Sequence, residues 1–373
     1  STFELKLEYK NTELGSIPYD WEVKKLGDVL KICHGKVQKD VVSADGIYPI
    51  LATGGQIGKA SRALYDKPSV LIGRKGTIDQ PQYMDTPFWT VDTLFYSAMK
   101  NNNDAKFFYY KFCTIPWLKF NEASGVPSLS ARTIEKINVS CPEPKMQRAI
   151  AEILTDVDML LKSLDQLIIK KQNFKQATMY QLLSDEICSL KNNNWKEHRL
   201  KDLAVISKGH QLDIDETNPQ EDFPHYNGGM FPSSFTYKSN RLSNTIAISE
   251  GGNSCGYVQI INVPFWCGGH CYTIKPFSID NNFLFYALKQ RQSKIMKLRV
   301  GSGLPNIQKT TIGLFKLKVP DKQNDQKKIA EILLDIDKEL TSLKLRRDKI
   351  FNLRLAMMYE LLSGKTRLTN KDS

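Results

Sequence analysis

The chain has 373 residues, of which 41% are hydrophobic and 25% are charged, a composition typical of a globular protein with more than one domain. It has no apolar run of the roughly 18 to 20 residues that a membrane span requires, and its start lacks the apolar core of a signal peptide, so we expect a cytoplasmic protein. Seven scattered cysteines argue against a disulfide framework, and the formal net charge of +12 is compatible with binding a polyanion.

The positive charge is spread along the chain and is not confined to a tail. Residues 1–146 carry 19 Lys and Arg against 16 Asp and Glu, and residues 188–325 carry 17 against 11. Basic segments that also contain Tyr, Phe, Asn and Gln suit nucleic acid. A basic protein that does not bind nucleic acid would have a similar composition, so charge alone does not establish nucleic-acid binding.

Residues 1–146 predict an α+β domain. Runs of β-branched and aromatic residues alternate with Gly, Pro and Asn, and one helical pattern covers Asp104 to Cys113. We expect a curled sheet that is mostly antiparallel or mixed, because no regular alternation of strand and helix is present.

Residues 147–187 predict a long helix. Apolar side chains recur at spacings of four and three, which is the periodicity of a coiled-coil seam, and neither Gly nor Pro interrupts them. The seam residues are Ile150, Leu154, Val157, Leu161, Leu164 and Ile168.

The chain then repeats this organisation. Residues 188–325 again predict an α+β domain, with a helical pattern at Asn281 to Gln290, and a second helix is predicted over 326–364, followed by a polar tail at 365–373. Aligned without a gap, residues 147–184 and 326–363 are identical at 19 of 38 positions. The second seam consists of Ile329, Leu333, Ile336, Leu340 and Leu343. We therefore predict an internal duplication in which two long helices pack antiparallel, as an intramolecular coiled coil with a pseudo-twofold axis.

The two globules also correspond to each other. "SVLIGRKGTI" from Ser69 resembles "TIAISEGGNS" from Thr245, and "GVPSLSARTI" from Gly125 resembles "GLPNIQKTTI" from Gly303. In the first pair an apolar strand leads into a polar loop that contains glycine, and each member of the second pair is followed by a short strand just before the long helix. Polar loops at strand ends, such as those of the first pair, are the predicted binding surface of each globule.

Motifs for catalysis are missing from the sequence. It contains no N/D-P-P-Y/F loop of an adenine methyltransferase and no GxxxxGK[ST] phosphate loop, and its five histidines form no recognisable triad pattern. The "CGGHC" stretch from Cys267 to Cys271 lacks the C-x-x-C spacing of zinc sites, so buried thiols are the favoured interpretation. We predict no catalytic residue, metal or cofactor in this chain.

The arrangement resembles the specificity (S) subunit of a type I restriction-modification system. The resemblance is carried by "IP-x-x-W" at Ile17 to Trp21, by "WKEHRLKDLAVISKG" from Trp195, and by the "Q-x-x-IAEIL-x-D-x-D" openings at Gln147 and Gln326. It implies two target recognition domains, each reading one half of a bipartite DNA site, separated by helices that set the spacer. It also implies two methyltransferase subunits that bind S-adenosylmethionine, and restriction subunits that use ATP and magnesium.

The DNA-binding candidates are basic, amide or hydroxyl residues in loops at strand ends, and a glutamate that can accept a hydrogen bond from a base amine. They are Lys36, Lys39, Thr53, Gln56, Lys59, Arg74, Lys75 and Thr77 in the first globule, and Lys208, His210, Tyr226, Asn227, Lys238, Arg241, Glu250, Asn253 and Ser254 in the second.

Two interpretations remain open from the residues. The alternative to the DNA-specificity subunit is a non-enzymatic coiled-coil scaffold whose basic globules bind RNA or protein. The recurring aspartates at Asp156, Asp158, Asp335 and Asp337 are expected on outer helix faces, where they would dock partner subunits or favour the helix start.

Overall fold

A computed structural model describes residues 8–184, 186, 195–301 and 303–368. The chain divides into two compact units, Ser1–Leu164 with Arg346–Ser373, and Asp165–Leu345. Each unit contains one β-rich globule together with a segment of both long helices. The predicted domain boundaries follow chain order instead, so the division between units falls within the helices.

The globule of the first unit contains two sheets. The strands β4, β10, β7 and β8 pair in that order as an antiparallel sheet, and β6, β5 and β9 form a mixed sheet in which β5 and β9 run parallel. The antiparallel pairs β1–β2 and β3–β11 complete it. The strands of this unit are β1 (Tyr9–Thr12), β2 (Gly15–Pro18), β3 (Glu22–Lys25), β4 (Leu30–Cys33), β5 (Tyr48–Ala52), β6 (Gly55–Ala60), β7 (Ser69–Gly73), β8 (Gln82–Met84), β9 (Trp89–Thr90), β10 (Leu94–Met99) and β11 (Asn138–Cys141); its helices are α1 (Leu26–Val29), α2 (Ala105–Thr114), α3 (Ala131–Glu135) and the start of α4 (Pro144–Leu183).

The globule of the second unit repeats this topology. The order β13, β19, β16, β17 corresponds to the first antiparallel sheet, and β15, β14, β18 corresponds to the mixed one. The strands are β12 (Trp195–Arg199), β13 (Ala204–Lys208), β14 (Phe223–Tyr226), β15 (Ser234–Thr236), β16 (Thr245–Ser249), β17 (Val258–Ile261), β18 (Trp266–Cys267), β19 (Cys271–Pro276) and β20 (Lys316–Pro320); the helices are α5 (Asn281–Gln290), α6 (Gln292–Met296), α7 (Lys309–Gly313) and the start of α8 (Gln323–Ser363). The predicted duplication and the α+β class are confirmed.

The long helices begin and end where backbone chemistry requires. Pro144 is the first residue of α4. An N–H at this position has no hydrogen-bond acceptor within the helix, so the missing N–H of proline costs no helical hydrogen bond. Gly364 follows α8 with φ +75°, a left-handed conformation that favours glycine. Both helices begin three residues before the predicted starts at Gln147 and Gln326. The predicted end of the first helix at residue 187 lies outside the described residues.

A glutamine at each long helix holds the globule of its own unit. The Gln147 side-chain amide donates from Nε2 to the Pro142 carbonyl at 2.8 Å, and its Oε1 accepts from the Asp104 N–H at 2.8 Å. Gln326 makes the same two bonds, to Pro320 and Asp280, at 3.0 Å each. These bonds explain why the "Q-x-x-IAEIL" phrase occurs twice, because each copy joins one globule to one long helix. We call this arrangement the glutamine joint.

The same joint caps the short helix that packs beside it. Asp104 precedes α2, and its Oδ1 accepts from the Phe107 N–H at 2.7 Å. Asp280 precedes α5 and accepts from the Phe283 N–H at 2.9 Å. An aspartate at this position satisfies a free N–H of the first helical turn. The N–H of each capping residue is in turn held by the buried glutamine.

The seam residues pack on the globule as well as on the other long helix. Leu154 belongs to one apolar cluster with Trp117 of the first globule and Leu362 of α8. In the second unit, Leu333 shares a cluster with Phe283 of the globule and with Leu183 of α4. Most of the predicted seam is buried, and Val157, Ile329 and Leu343 are half-buried. The helices are therefore part of each globular core.

The two helix segments of the second unit run antiparallel. Lys171 of α4 pairs with Glu339 of α8, and Lys175 pairs with Asp337 at 2.5 Å, so later residues of one helix meet earlier residues of the other. This confirms the predicted antiparallel packing.

Two of the four recurring aspartates do not lie on an outer face, so the prediction was wrong for them. Asp158 accepts from the Tyr110 hydroxyl at 2.8 Å and pairs with Arg354. Asp337 accepts from the Tyr286 hydroxyl at 2.7 Å. Both are half-buried because a tyrosine of the globule reaches them. Asp156 and Asp335 are exposed, as expected.

Candidate nucleic-acid interface

In each globule, the loop after one central strand is held by a second loop that arrives from elsewhere in the chain. After β7, the carbonyl of Arg74 accepts from the Leu129 N–H at 3.0 Å. After β16, the carbonyl of Glu250 accepts from the Ile307 N–H at 2.9 Å. Arg74 and Glu250 therefore occupy equivalent positions, with opposite charge.

Glu250 is at the centre of a cluster of polar side chains in the second globule. Its Oε1 accepts from Lys208 Nζ at 2.6 Å and from the Tyr272 hydroxyl at 2.8 Å. Its Oε2 is buried and lies 3.5 Å from Nδ1 of His270. The Glu250 side chain is only 13% exposed, whereas those of Lys208 and His270 are 50% and 64% exposed. The solvent-exposed part of this cluster therefore consists of the side chains of Lys208 and His270.

The electrostatics of the cluster favour an ionised Glu250. Burial by itself would raise the pKa of Glu250, but hydrogen bonds from Lys208 and Tyr272 and the charge of Lys208 hold that pKa below its ordinary value. Burial and the bond to Glu250 raise the pKa of the Tyr272 hydroxyl, which therefore keeps its proton and remains a donor.

A cleft of about 620 Å³ opens beside this cluster. Five predicted residues line it, namely Lys208, Asn227, Glu250, Asn253 and Ser254. His270 also lines it and was missed, because its contact with Glu250 follows from the pairing of β16 with β19. Asn227 fixes the backbone of His270 by accepting from its N–H at 3.1 Å. Ser254 is turned inward and donates to the Gly228 carbonyl at 2.7 Å.

The other predicted residues of the second globule do not line this cleft. Arg241 donates to Thr273 Oγ1 at 3.0 Å and to the Lys208 carbonyl at 3.3 Å, so it braces the strand edge. Lys238 pairs with Glu216 and lies over the Trp266 ring. Tyr226 packs edge-on against Phe265, and His210 is exposed.

In the first globule, predicted residues meet at the Arg74 loop. Arg74 is half-buried, and its Nη1 donates to the Asp92 carbonyl at 3.3 Å. Lys75 is exposed and Thr77 is half-buried. Thr53 lies beside this loop, since a Cβ at Gly76 would be 3.6 Å from its hydroxyl.

The remaining candidates of the first globule lie on or near the mixed sheet. Gln82, which sequence reasoning missed, donates from its side-chain amide to the carbonyls of Ala52 and Thr53. The side chains that are exposed there are Lys36, Lys39, Gln56 and Lys59.

The sequence matches the type I restriction modification DNA specificity domain twice, over residues 18–171 and 192–350. The chain belongs to this family of type I specificity subunits. Both matched segments are DNA specificity domains.

Individual relatives agree with this assignment. The chain is 33% identical over 158 residues to a protein of Mycoplasma genitalium named as a type I specificity subunit, a match that covers 41% of each. A similarly named protein of Mycoplasma pneumoniae is 30% identical over 183 residues, covering 48% of this chain and 44% of the relative. The matches thus span less than half the length of these two relatives. The MjaVIII specificity subunit of Methanocaldococcus jannaschii is 24% identical over 403 residues, covering 95% of both chains.

A solved structure has the same fold. The S subunit of a type I restriction-modification system from M. genitalium matches with a TM-score of 0.71 at 19% identity, covering 94% of this chain and 97% of that one.

The loops that hold Arg74 and Glu250 also carry exposed apolar tips. Val126 and Leu304 follow the equivalent glycines Gly125 and Gly303, and they are 65% and 86% exposed. Each tip belongs to the loop that holds Arg74 or Glu250, so each lies beside the candidate binding residues of its own globule.

The described residues show no sign of a metal or membrane-spanning site. Among the described residues, no three His, Cys, Asp or Glu side chains form a group that could hold a metal. Cys267 and Cys271 are buried, and the Cys267 thiol lies 3.4 Å from the Cys271 carbonyl. Cys188 lies outside the described residues. In the part of the chain that the structure describes, no helix is long and apolar enough to cross a membrane.

Proposed function

We propose that this specificity subunit reads a bipartite DNA target, one half-site with each globule, and that the paired long helices set the spacer between the half-sites. The observation that carries the proposal is the equivalence of Arg74 and Glu250. The backbone around both residues is the same, while the side chains differ in charge. Two readers of different sequences need a common scaffold and different side chains around the contact surface, whether these touch the bases or position the residues that do.

The charge of the chain supports DNA as the ligand. The net charge of +12 favours a polyanion, and exposed lysines such as Lys36, Lys59 and Lys75 suit phosphate contacts. Phosphate contacts position a protein on the duplex, while side chains in the clefts can reach base edges.

The subunit then directs two adenine methyltransferase subunits and the restriction subunits to the target. Large apolar side chains remain exposed on the long helices, among them Ile169 and Phe174 on α4 and Leu353 and Tyr359 on α8. Apolar surface of this kind is typical of sites where partner chains bind. S-adenosylmethionine, ATP and magnesium would be held by those partners.

Sequencing of methylated DNA tests this function directly. The chain is combined with the methyltransferase subunits of its own source, and adenine methylation is mapped on random DNA. We expect a split motif with an unread spacer. Methylation of a continuous motif, or none in the presence of all subunits, would contradict the proposal.

Removing one heptad from Leu161 to Leu167, together with the matching residues 340–346, tests the role of the helices. About seven residues at 1.5 Å each shorten both helices by roughly 10 Å. We expect recognition of a shorter spacer or loss of binding. Undiminished activity on the original spacing would exclude the helices as spacers.

A further inference from the structure

We propose that Lys208 reads a guanine in the half-site of the second globule, and that Glu250 is a positioning residue that fixes Lys208 and does not itself contact the base. This inference rests on the proposed function, and it names the base chemistry and the residue that reads it.

The geometry assigns Glu250 to a supporting position. One carboxylate oxygen, Oε1, already accepts from Lys208 and from Tyr272. The other, Oε2, is buried beside His270. An acidic residue can read a cytosine amine only if an oxygen is presented to the groove. Glu250 presents neither oxygen to the groove, although the sequence alone suggests an acidic contact residue at this position.

Lys208 has the features that a base reader needs. It is the last residue of β13, its side chain is half exposed, and it lines the cleft. An ammonium group has three donors, and the bond to Glu250 uses one, so two remain for a ligand. Guanine presents two acceptors, O6 and N7, in the major groove, and lysine or arginine contacts to these atoms are common.

The backbone of Lys208 is held as firmly as its side chain. Lys208 lies opposite Tyr272 in the pairing of β13 with β19, and the N–H of the next residue, Gly209, donates to the Cys271 carbonyl at 2.9 Å. The Lys208 carbonyl accepts from Arg241 at 3.3 Å. A side chain that is fixed at both ends loses less conformational freedom on binding. This preorganisation favours a specific contact over a mobile phosphate contact.

The first globule lacks the whole cluster at the equivalent positions. "DWEVKKLGDVLKICHGK" from Asp20 aligns with "NWKEHRLKDLAVISKGH" from Asn194, and "PFWTVDTLFY" from Pro87 aligns with "PFWCGGHCYT" from Pro264. His34, Arg74, Thr93 and Phe95 therefore lie where the second globule has Lys208, Glu250, His270 and Tyr272. The ring of His34 packs edge-on against Phe95 at 4.9 Å, which reproduces the neighbourhood of Lys208 and Tyr272 without its hydrogen bonds. The hydrogen-bonded cluster of Glu250 and its donors is therefore specific to the second globule.

The test is selection of bound sequences from random duplex DNA by the full chain in complex with its methyltransferase subunits. The wild type is compared with K208M, E250Q and the double variant. The control is K316M, because Lys316 also pairs with a glutamate, Glu197, at 2.7 Å and does not line the cleft.

We expect the wild type to select guanine at one position of one half-site. K208M should lose that preference by roughly 5- to 150-fold, the range of one good base contact. E250Q should relax the same position, and the double variant should be no worse than K208M, because Glu250 acts through Lys208. K316M should select the wild-type sequence.

Three results would overturn the inference. If E250Q alone changes the selected base while K208M does not, Glu250 is the reader. If K208M weakens binding to all sequences equally and lowers the salt dependence by about one phosphate contact, Lys208 binds the backbone. If the wild type selects a split sequence that neither variant alters, only this inference fails, whereas a wild type that selects no sequence contradicts the proposed function itself.

Discussion

Arg74 and Glu250 follow equivalent strands and make equivalent backbone hydrogen bonds, yet one carries a guanidinium and the other a carboxylate. The glutamine joint differs from this pair, because Gln147 and Gln326 make the same bonds to chemically identical partners. The duplicated globules therefore keep the contacts that hold each unit together and vary those that face the cleft. The buried hydrogen bonds of the glutamine joint hold a globule to its long helix and are costly to lose, whereas the contacts around Arg74 and Glu250 lie within one globule and can differ between the two.

The largest expected effect of a single substitution is on reading of the first half-site. Replacement of Arg74 with alanine removes its guanidinium donors and leaves the exposed Lys75 in place, so we expect relaxed preference at one position of one half-site, by roughly 5- to 150-fold. Mapping of methylated sites measures both half-sites in one experiment. The exposed Lys25 on β3 supplies a control variant, K25A. Unchanged specificity in R74A would remove this loop from the interface.

The next largest effect concerns an aspartate–tyrosine contact that occurs once within each unit. D158A and D337A each leave a tyrosine hydroxyl and a cation without their acceptor. We expect each to lower the free energy of unfolding by about 2 kcal/mol, less than for a fully buried pair because both aspartates are partly exposed.

Urea denaturation measures this loss, and the chain offers matched controls. Asp156 and Asp335 are exposed and lie two residues away in the same repeats. D156A and D335A should change stability by less than about 0.5 kcal/mol. Equal effects at all four positions would show that the tyrosine bonds contribute nothing.

A difference between the units should appear in the pH dependence of stability. Lys111 in the first unit is buried, and its Nζ donates to Ser140 Oγ and to the Leu362 carbonyl at 2.6 Å each, whereas the aligned residue of the second unit is Ala287. Burial lowers the pKa of Lys111 to about 7. The unfolded chain then binds more protons than the folded one between that pKa and the ordinary value near 10.5.

The sign of the effect follows from this proton balance. Stability contributed by Lys111 should rise with pH above 7, by at most about 1.4 kcal/mol per pH unit, and should be constant at lower pH. Unfolding free energies at pH 7, 8 and 9 would show this slope in the wild type, and K111M should lose it. The exposed Lys119 gives the control K119M. A wild-type slope retained in K111M would refute the assignment.

The smallest effect is expected at the apolar loop tips. V126S and L304S remove exposed side chains, so we expect stability within about 0.5 kcal/mol of wild type. We expect DNA affinity to fall by less than tenfold, corresponding to under about 1.4 kcal/mol, because each tip lies beside the cleft residues. Binding to a defined duplex measures this change. No change in affinity would place the tips outside the interface.

The fold was largely predictable because its signals are local. The spacing of Ile150, Leu154 and Leu161 identifies a helix, and the repeated phrases identify the duplication. The inward position of Asp158 was not predictable in this way. It depends on Tyr110, which is 48 residues earlier in the chain and reaches the aspartate only after the globule has folded.

The candidate site was predictable only in part. Lys208 and Glu250 were predicted because they lie where apolar strands lead into polar loops. His270 and Tyr272 come next to them through the register of the strands, and this register is not visible in a single sequence. The sequence could show that Glu250 is acidic. It could not show that the carboxylate is buried beneath its own donors.

The glutamine joint has a consequence for how new specificities can arise. Both globules present the same polar groups to their long helices, namely an aspartate before the short helix, a tyrosine within that helix and a carbonyl before the long helix, as Asp104 with Tyr110 and Asp280 with Tyr286 do. If each globule reads one half-site, as proposed, a globule grafted at this joint would bring its half-site with it, and its apolar contacts with the long helices would have to fit as well.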